Sequence, residues 1–253
     1  MPDLKEPKIV TMLRIKNESR WIAKVLESIS SFSTDIVVLD DGSTDNTLEI
    51  CKNFSQVVDI HQQSNLPFDE TRDKNILLKM ALKRNPDFVL TLDGDEIFQP
   101  NAKKLLLEEL EVIYPEAPMY EFQFLTIWDK PNQYRYDGIY SNIWPKKLIR
   151  LSKQPEHLHF EGTDFQNNAH CPAVPQNANG WSNSIRSKVK IFHYGNYDDD
   201  LRQQKYKFII TCAPSTKIFD NYVHIISGKG KWSGSHGMEF KSLPENVYVK
   251  NIK

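Results

Sequence analysis

The chain has 253 residues, of which 40% are hydrophobic and 26% are charged, and its formal net charge is −1. This composition is typical of globular proteins and excludes collagen-like, disordered and disulfide-scaffold classes. The balanced charge gives no overall attraction to nucleic acid, a partner that the sequence disfavours but leaves open. No apolar run is long enough to span a membrane. Charged residues near the amino terminus and three scattered cysteines predict a cytoplasmic protein.

The first half of the chain alternates short apolar runs with helical patterns, which is typical of βαβ units around a parallel sheet. The apolar runs predict strands over residues 8–13, 35–39, 57–60 and 88–92. Apolar residues at helical spacing predict helices over residues 22–29, 48–54, 71–84 and 103–114. We therefore expect an α/β fold whose ligand crevice lies beyond the carboxyl ends of the strands.

The second half of the chain has a less regular pattern. It predicts strands over residues 119–128, 143–151 and 188–193, and a helix over residues 199–212. Residues 166–184 are rich in Asn, Pro, Ala and Ser and predict a long loop, a kind of segment that is commonly functional or mobile. The Gly-rich residues 227–237 predict a mobile segment.

Two acidic motifs follow predicted strands. Asp93 and Asp95 form an Asp-Gly-Asp (DxD) motif, and because residues i and i+2 of an extended chain share one side, both carboxylates can face one site. Such a pair suits Mg²⁺ or Mn²⁺ shared with substrate phosphates, although Asp-Gly is also common in plain turns. Asp40, Asp41 and Gly42 end another strand, where a carboxylate can accept a hydrogen bond from a base or ribose. The alternative is a simple helix N-cap.

An ordered set of motifs over about residues 8–100 resembles the family 2 glycosyltransferases. The set consists of Met-Leu-Arg-Ile-Lys-Asn-Glu at 12–18, Val-Val-Leu-Asp-Asp-Gly-Ser-Thr-Asp at 37–45, Thr71-Arg72 with Asn75, and Leu-Asp-Gly-Asp-Glu at 92–96. Its Lys-Asn-Glu element is most similar to a subgroup that includes lipopolysaccharide-core and capsule enzymes. The resemblance implies a GT-A fold, which is Rossmann-like with a mostly parallel central sheet, a nucleotide-sugar donor and inversion of the anomeric centre.

The resemblance also implies roles for individual residues. The backbone near Leu13 and the carboxylate of Asp41 would hold the nucleotide base, usually uracil, and Arg72 would reach the base or the diphosphate. Asp93 would lie near the ribose and the metal, and Asp95 would be the direct ligand of Mn²⁺ or Mg²⁺. Such a cation stabilises a departing nucleoside diphosphate as a Lewis acid.

An inverting transfer needs a carboxylate that takes the proton of the acceptor hydroxyl. The candidates are Glu161 and Asp164, with Asp129 and Asp137 behind them. We favour Glu161 because some relatives carry a His-Glu dipeptide at a similar place, the alternative being a solvated surface carboxylate. His193 ends a predicted strand, and the resemblance implies a late histidine at the metal or diphosphate. A core histidine bonded to backbone is the competing interpretation.

Several aromatic residues could line a sugar-binding acceptor cleft, although core packing explains most of them equally well. They are Trp128, Tyr134, Tyr136, Tyr140 and Trp144. A second set has a zinc-like mixture of residue types, but its spacing matches no common structural zinc site. That set comprises His157, His159, His170 and Cys171.

The sequence therefore predicts a metal-dependent inverting glycosyltransferase made of a single GT-A domain over residues 1–253. Residues 8–100 would bind the nucleotide-sugar, a UDP-sugar being favoured, and residues 101–253 would bind a hydroxyl acceptor such as a glycan or lipid-linked saccharide. No Gln-x-x-Arg-Trp motif occurs near Lys205, which argues against a polymerising synthase. Two alternatives stay open. One is an inactive nucleotide-sugar or glycan-binding module, and the other is a sugar-phosphate nucleotidyltransferase, which typically carries a Gly-rich loop after its first strand.

Overall fold

The computed structural model describes residues 6–64, 66–151, 157–162, 171–178, 181–212, 216–229 and 233–244. The strands are β1 (Ile9–Ile15), β2 (Asp35–Asp40), β3 (Val57–Gln62), β4 (Phe88–Asp93), β5 (Glu96–Phe98), β6 (Met119–Trp128), β7 (Lys130–Arg135), β8 (Lys146–Arg150), β9 (Ile185–His193) and β10 (Phe240–Ser242). The helices are α1 (Ile22–Ile29), α2 (Thr47–Lys52), α3 (Glu70–Leu82), α4 (Ala102–Glu108), α5 (Asp199–Cys212) and α6 (Thr216–Ser227).

These strands form one mixed sheet. Its order is β10-β7-β6-β8-β4-β1-β2-β3, and β9 pairs with both β6 and β5. The pairs β2–β3, β1–β2 and β1–β4 are parallel, whereas β8 runs antiparallel to both β4 and β6. The predicted α/β class, with a parallel first half and a mixed second half, is confirmed.

The central strand β1 is buried on both faces because helices cover both sides of the parallel sheet. Alternate residues of a strand point to opposite faces. Accordingly, Ile9 and Leu13 join one apolar cluster with the buried face of α1. Val10 and Met12 join a second cluster with the buried face of α3. The short apolar runs of the sequence are thus strands of a sheet that has helices on both faces.

The predicted helix over residues 103–114 is divided in the structure. Helix α4 ends at Glu108 and a π-helical turn continues over Glu109–Ile113. In that turn the Glu109 side chain is buried, and its carboxylate accepts hydrogen bonds from Ser187 Oγ (2.5 Å) and Lys188 N (2.7 Å) of β9. The turn therefore fastens this helix to the second half of the sheet.

The sequence patterns did not predict α6, which packs against α5. They also missed the short strand β5 and the strands β7 and β10. Of the Gly-rich segment that we expected to be mobile, residues 230–232 lie outside the described ranges. None of the helices built from described residues has the length and apolar character that crossing a bilayer requires.

Candidate donor and metal site

The carboxyl ends of the parallel strands bring the predicted donor-site residues to one edge of the sheet. Arg14 in β1 pairs in register with Asp93 at the end of β4, and Ile15 pairs with Asp40 at the end of β2. Asp41 follows β2 directly. This edge is where parallel α/β sheets place their ligands, and both acidic motifs of the sequence reach it.

A buried ionic cluster fixes the carboxylate of Asp41. Arg14 donates to Asp41 Oδ2 (2.9 Å) and to Asp73 Oδ2 (2.8 Å). The amide of Gln63 donates to Asp41 Oδ1 (3.0 Å) and to Asp73 Oδ1 (2.9 Å). Asp41 and Asp73 are both buried. Each oxygen of a carboxylate offers two acceptor sites, so Asp41 retains capacity for a donor on a ligand.

Arg72 and Leu13 have firm structural partners in the protein. Arg72 donates through Nε (2.9 Å) and Nη2 (2.7 Å) to Asp73 Oδ1, and through Nη1 to the carbonyl of Pro67 (3.0 Å). Leu13 is fully buried in the middle of β1, paired in register with Val38 on one side and with a β4 residue on the other. The structure thus places Arg72 against the Asp41 cluster, whereas the Leu13 side chain belongs to the core.

Lys147 of β8 sets the charge of Asp93. Its Nζ lies 2.8 Å from Glu96 Oε1 and 3.7 Å from Asp93 Oδ2. Desolvation alone would raise the pKa of Asp93. The positive charge of Lys147 outweighs this effect, with smaller contributions from Lys74 and Arg14, so the pKa of Asp93 is well below its usual range. Burial raises the pKa of Glu96 to about 8 despite the same lysine. The half-exposed carboxylate of Asp93 is therefore ionised at neutral pH.

Asp95 and His193 pack against the backbone of Gly195. Asp95 Oδ2 and His193 Nε2 are 3.6 Å apart. An ideal Cβ on Gly195 would overlap Asp95 Oδ2 and lie 2.9 Å from His193 Nε2, so a residue with a side chain at this position would displace both groups. Burial lowers the pKa of His193 to about 4, which makes the ring neutral at pH 7. Its Nδ1 is buried and finds no hydrogen-bond partner among the described residues.

A carboxylate and a neutral imidazole that lie close together and are each partly exposed fit a divalent cation. Within the described ranges, no three His, Cys, Asp or Glu side chains converge closely enough to hold a metal by themselves. Mg²⁺ in phosphate-handling enzymes is typically bound through one or two carboxylates, substrate phosphates and water. Asp95 and His193 therefore fit a cation whose coordination is completed by the diphosphate of a ligand.

The Lys-Asn-Glu motif links the two acidic motifs physically. Asn17 N donates to Ser43 Oγ (2.9 Å), and Asn17 Oδ1 accepts from Thr44 N (2.8 Å). The aliphatic part of the Glu18 side chain packs directly on Gly94, and a Cβ added to Gly94 would lie 2.5 Å from Glu18 Cγ. Burial and the flanking carboxylates raise the pKa of Glu18 to about 9. The sequence singled out this motif, but not its contact with the Asp-Gly-Asp turn.

A cleft of about 460 Å³ opens beside Asp93 and His193. Its wall includes Trp144, Trp181, Lys146 and Lys74, which come from both halves of the chain. Trp144, one of the aromatic residues that we predicted for an acceptor cleft, lies in this wall. Trp128 and Tyr140, which the sequence proposed for the same role, are buried in the protein. Trp181 is 38% exposed, and its loop position gave no sequence signal.

The candidates for the general base lie in different surroundings. Glu161 is exposed, 2.9 Å from His159 Nε2, and is not part of the wall of the cleft. Asp164 lies outside the described residues. Asp129 pairs with Arg202, and Asp137 is buried in a pair with Arg135. Arg202 Nη1 donates to Asp129 Oδ1 at 2.9 Å, and Arg135 Nε donates to Asp137 Oδ1 at 2.6 Å.

The chain is similar to several known proteins. Residues 13–166 match the family described as Glycosyl transferase family 2. An uncharacterized protein of Mycobacterium tuberculosis is 26% identical over 219 residues, which are 77% of this chain and 52% of that protein. The chain therefore spans about half the length of this relative. The poly-beta-1,6-N-acetyl-D-glucosamine synthase of Staphylococcus epidermidis is 27% identical over 104 residues, which are 40% of this chain and 24% of the synthase.

Among solved structures, that of S. aureus TarS 1–349 is similar to this chain with a TM-score of 0.49 and 16% identity. The similarity covers 87% of this chain and 70% of the TarS chain. The family match extends over more than half of the sequence and includes both acidic motifs at the edge of the sheet. The chain belongs to glycosyl transferase family 2.

Proposed function

We propose that this protein is a metal-dependent inverting glycosyltransferase that moves a sugar from a nucleoside-diphosphate donor to a hydroxyl acceptor. The observation that carries the proposal is the pair of Asp95 and His193, 3.6 Å apart beside Gly195 and close to the ionised Asp93. A UDP-sugar is the favoured donor. The acceptor is a glycan or lipid-linked saccharide, which would enter through the cleft lined by Trp144 and Trp181.

The chemistry follows from where charge develops. The acceptor hydroxyl oxygen bonds to the anomeric carbon of the sugar while the bond from that carbon to the β-phosphate oxygen breaks. The electron pair stays on the phosphate oxygen, and the hydroxyl proton passes to a carboxylate, for which Glu161 and Asp164 are the candidates. Asp95 and His193 would hold Mn²⁺ or Mg²⁺, which when bound supplies positive charge to the leaving diphosphate. Asp41, fixed by its buried cluster, would accept a hydrogen bond from the base.

We also propose that the chain belongs with the Lys-Asn-Glu subgroup that includes lipopolysaccharide-core and capsule enzymes. Support comes from the role of that motif in the fold. Asn17 holds the loop after β2, and Glu18 packs on Gly94 of the Asp-Gly-Asp turn. The three-residue motif therefore orders both acidic motifs, which explains why it would accompany this kind of donor site.

A thermal-shift panel of UDP, GDP, CDP and dTDP, each with Mn²⁺ and with EDTA, tests the donor site. A ligand at about 100 times its dissociation constant adds roughly 2.7 kcal/mol to the free energy of unfolding. For a chain of this length the melting temperature should rise by on the order of 5–10 °C. A manganese-dependent rise with one nucleotide is the expected result. No rise with any of them contradicts the donor site, whereas binding without transfer favours the inactive binding module.

Replacing Glu161 with glutamine tests the general base. We expect the rate of transfer to fall by about 10²- to 10⁴-fold, because the amide cannot take the proton of the acceptor hydroxyl. Binding of the nucleotide should be unchanged, since Glu161 lies outside the donor cluster. Single-turnover transfer measures the first effect and calorimetry the second, with the exposed Glu108→Gln on α4 as the matched control. Transfer at the wild-type rate would remove Glu161 from the mechanism.

A further inference from the structure

Lys205 of α5 reaches the same side of Gly195 as Asp95 and His193. Its Nζ would lie 3.1 Å from a Cβ placed on Gly195, the position that also meets Asp95 Oδ2 and His193 Nε2. Three polar groups from three segments thus meet beside the Gly195 backbone. They are the carboxylate after β4, the imidazole at the end of β9 and the amine of α5.

This amine differs from the other cations around the site because it has no ion-pair partner among the described residues. Lys147 pairs with Glu96 and Lys74 pairs with Glu70. Arg14 pairs with Asp41 and with a second buried carboxylate. Lys205 makes no such contact, although it is half-buried and lies near Glu18 and Asp95. A half-buried amine that no carboxylate engages is available to an anion from outside the protein.

We propose that Lys205 is a catalytic residue that binds the diphosphate of the donor directly, beside the metal. This inference rests on the proposed function and adds a second positive group to it. The ammonium would donate hydrogen bonds to oxygens of the β-phosphate. As the bond between the anomeric carbon and the phosphate oxygen breaks, the electron pair moves onto that oxygen, and the lysine keeps its protons while its charge stabilises the leaving group.

A purely structural role makes the opposite prediction for the metal. If Lys205 served only to offset the negative charge of Asp93 and Asp95, its removal would strengthen binding of Mn²⁺, because a repelling cation would be gone. Binding of UDP in the presence of Mn²⁺ would then stay constant or improve. If Lys205 binds the diphosphate, removal weakens UDP whether or not the metal is there.

The test measures dissociation constants by calorimetry for UDP and for uridine, with Mn²⁺ and with EDTA. Lys205→Met should raise the dissociation constant of UDP by about 10- to 100-fold in both conditions, because one charge-assisted hydrogen-bonding group is lost. Binding of uridine should be unchanged, since uridine has no phosphate. Lys205→Arg should restore part of the affinity. Lys207→Met, two residues along the same helix at an exposed position, is the matched control.

Asp95→Asn separates the two roles. It should weaken UDP with Mn²⁺ but not with EDTA, because Asp95 acts through the metal and Lys205 acts directly. A UDP dissociation constant for Lys205→Met within about twofold of wild type in both conditions overturns the inference alone. Failure of the wild-type protein to bind UDP, GDP, CDP or dTDP overturns the donor site itself and the inference with it.

Discussion

Asp95→Ala is expected to lower metal-dependent sugar transfer by at least about a thousandfold, which corresponds to roughly 4 kcal/mol of transition-state stabilisation. Asp95 and His193 are the side chains beside Gly195 that we propose as metal ligands, so the variant removes one of the two proposed protein ligands. A cation that polarises a phosphoryl oxygen is worth several kcal/mol in the transition state. Few other residues of the chain should have an effect of this size.

The same change should leave the fold intact. The Asp95 side chain lies near the ionised Asp93, and the hydrogen bond from Tyr194 N goes to its backbone carbonyl, which alanine retains. The melting temperature without ligand should therefore be equal to or above that of wild type. Transfer assays with and without Mn²⁺ measure the first effect, and Asp59→Ala on an exposed position of β3 controls for loss of one negative charge. Full metal-dependent turnover in Asp95→Ala would show that the cation binds elsewhere.

The sequence predicted the parallel half of the fold because its strands are buried on both faces and its helices carry one apolar face. Such strands are short continuous apolar runs, such helices have an apolar residue every three or four positions, and both patterns are visible in a single chain. The acidic residues could be assigned to one edge for the same reason. Once Asp41 and Asp93 each follow a parallel strand, the geometry of a parallel sheet brings them to its carboxyl end.

The partners of these acidic residues could not be predicted in that way. Arg14 and Asp73 are 59 residues apart in sequence, and Lys147 and Glu96 are 51 apart. Such pairs depend on strand order and on the crossing of a helix over the sheet, which no local period encodes. The same holds for Lys205, whose position beside Asp95 and His193 depends on how α5 packs after the turn at Gly195.

The second half was predicted less well because its elements owe their positions to tertiary contacts. Strand β7 contains a proline and alternates poorly, and it forms as the antiparallel partner of β6 after a tight turn at Asp129, which has a φ of 58°. Helix α6 packs on α5, and its carbonyl at His224 accepts from Arg135 Nη1 (2.7 Å). Burial and specific hydrogen bonds outweigh weak propensity in such segments.

Arg135→Met is expected to lower the free energy of unfolding by about 3–5 kcal/mol, the usual cost of removing one partner of a buried ion pair. The Arg135 side chain is fully buried, and it donates to both oxygens of Asp137 at 2.6 Å and 2.7 Å. Its guanidinium also lies over the rings of Trp128 and Tyr140. Methionine would keep the apolar contacts of the stem and leave the Asp137 carboxylate without its counter-charge. For this chain length the melting temperature should fall by roughly 6–20 °C.

The pH dependence of stability offers a second measurement of the same variant. Desolvation alone would raise the pKa of Asp137, but the hydrogen bonds from Arg135 hold it below the ordinary value of 3.8. A lowered carboxyl pKa contributes stability that is present above the unfolded value and lost as the pH falls through the folded value. The difference in stability between wild type and Arg135→Met should therefore shrink as the pH drops below about 4.

Arg135→Met should also affect the proposed donor site, because the guanidinium groups of Arg135 and Arg202 lie over the same indole ring, that of Trp128. Arg202 of α5 lies 4.5 Å from the centre of the Trp128 ring, and Arg135 lies 4.9 Å from it. Helix α5 carries both Arg202 and Lys205. If Trp128 becomes less well packed, α5 should be held less firmly, which should weaken UDP binding as well as stability. Arg186→Met, which removes an exposed arginine over Trp144, should cost less than about 1 kcal/mol. Equal melting temperatures for the two arginine variants would mean that the buried pair does not hold this half of the fold together.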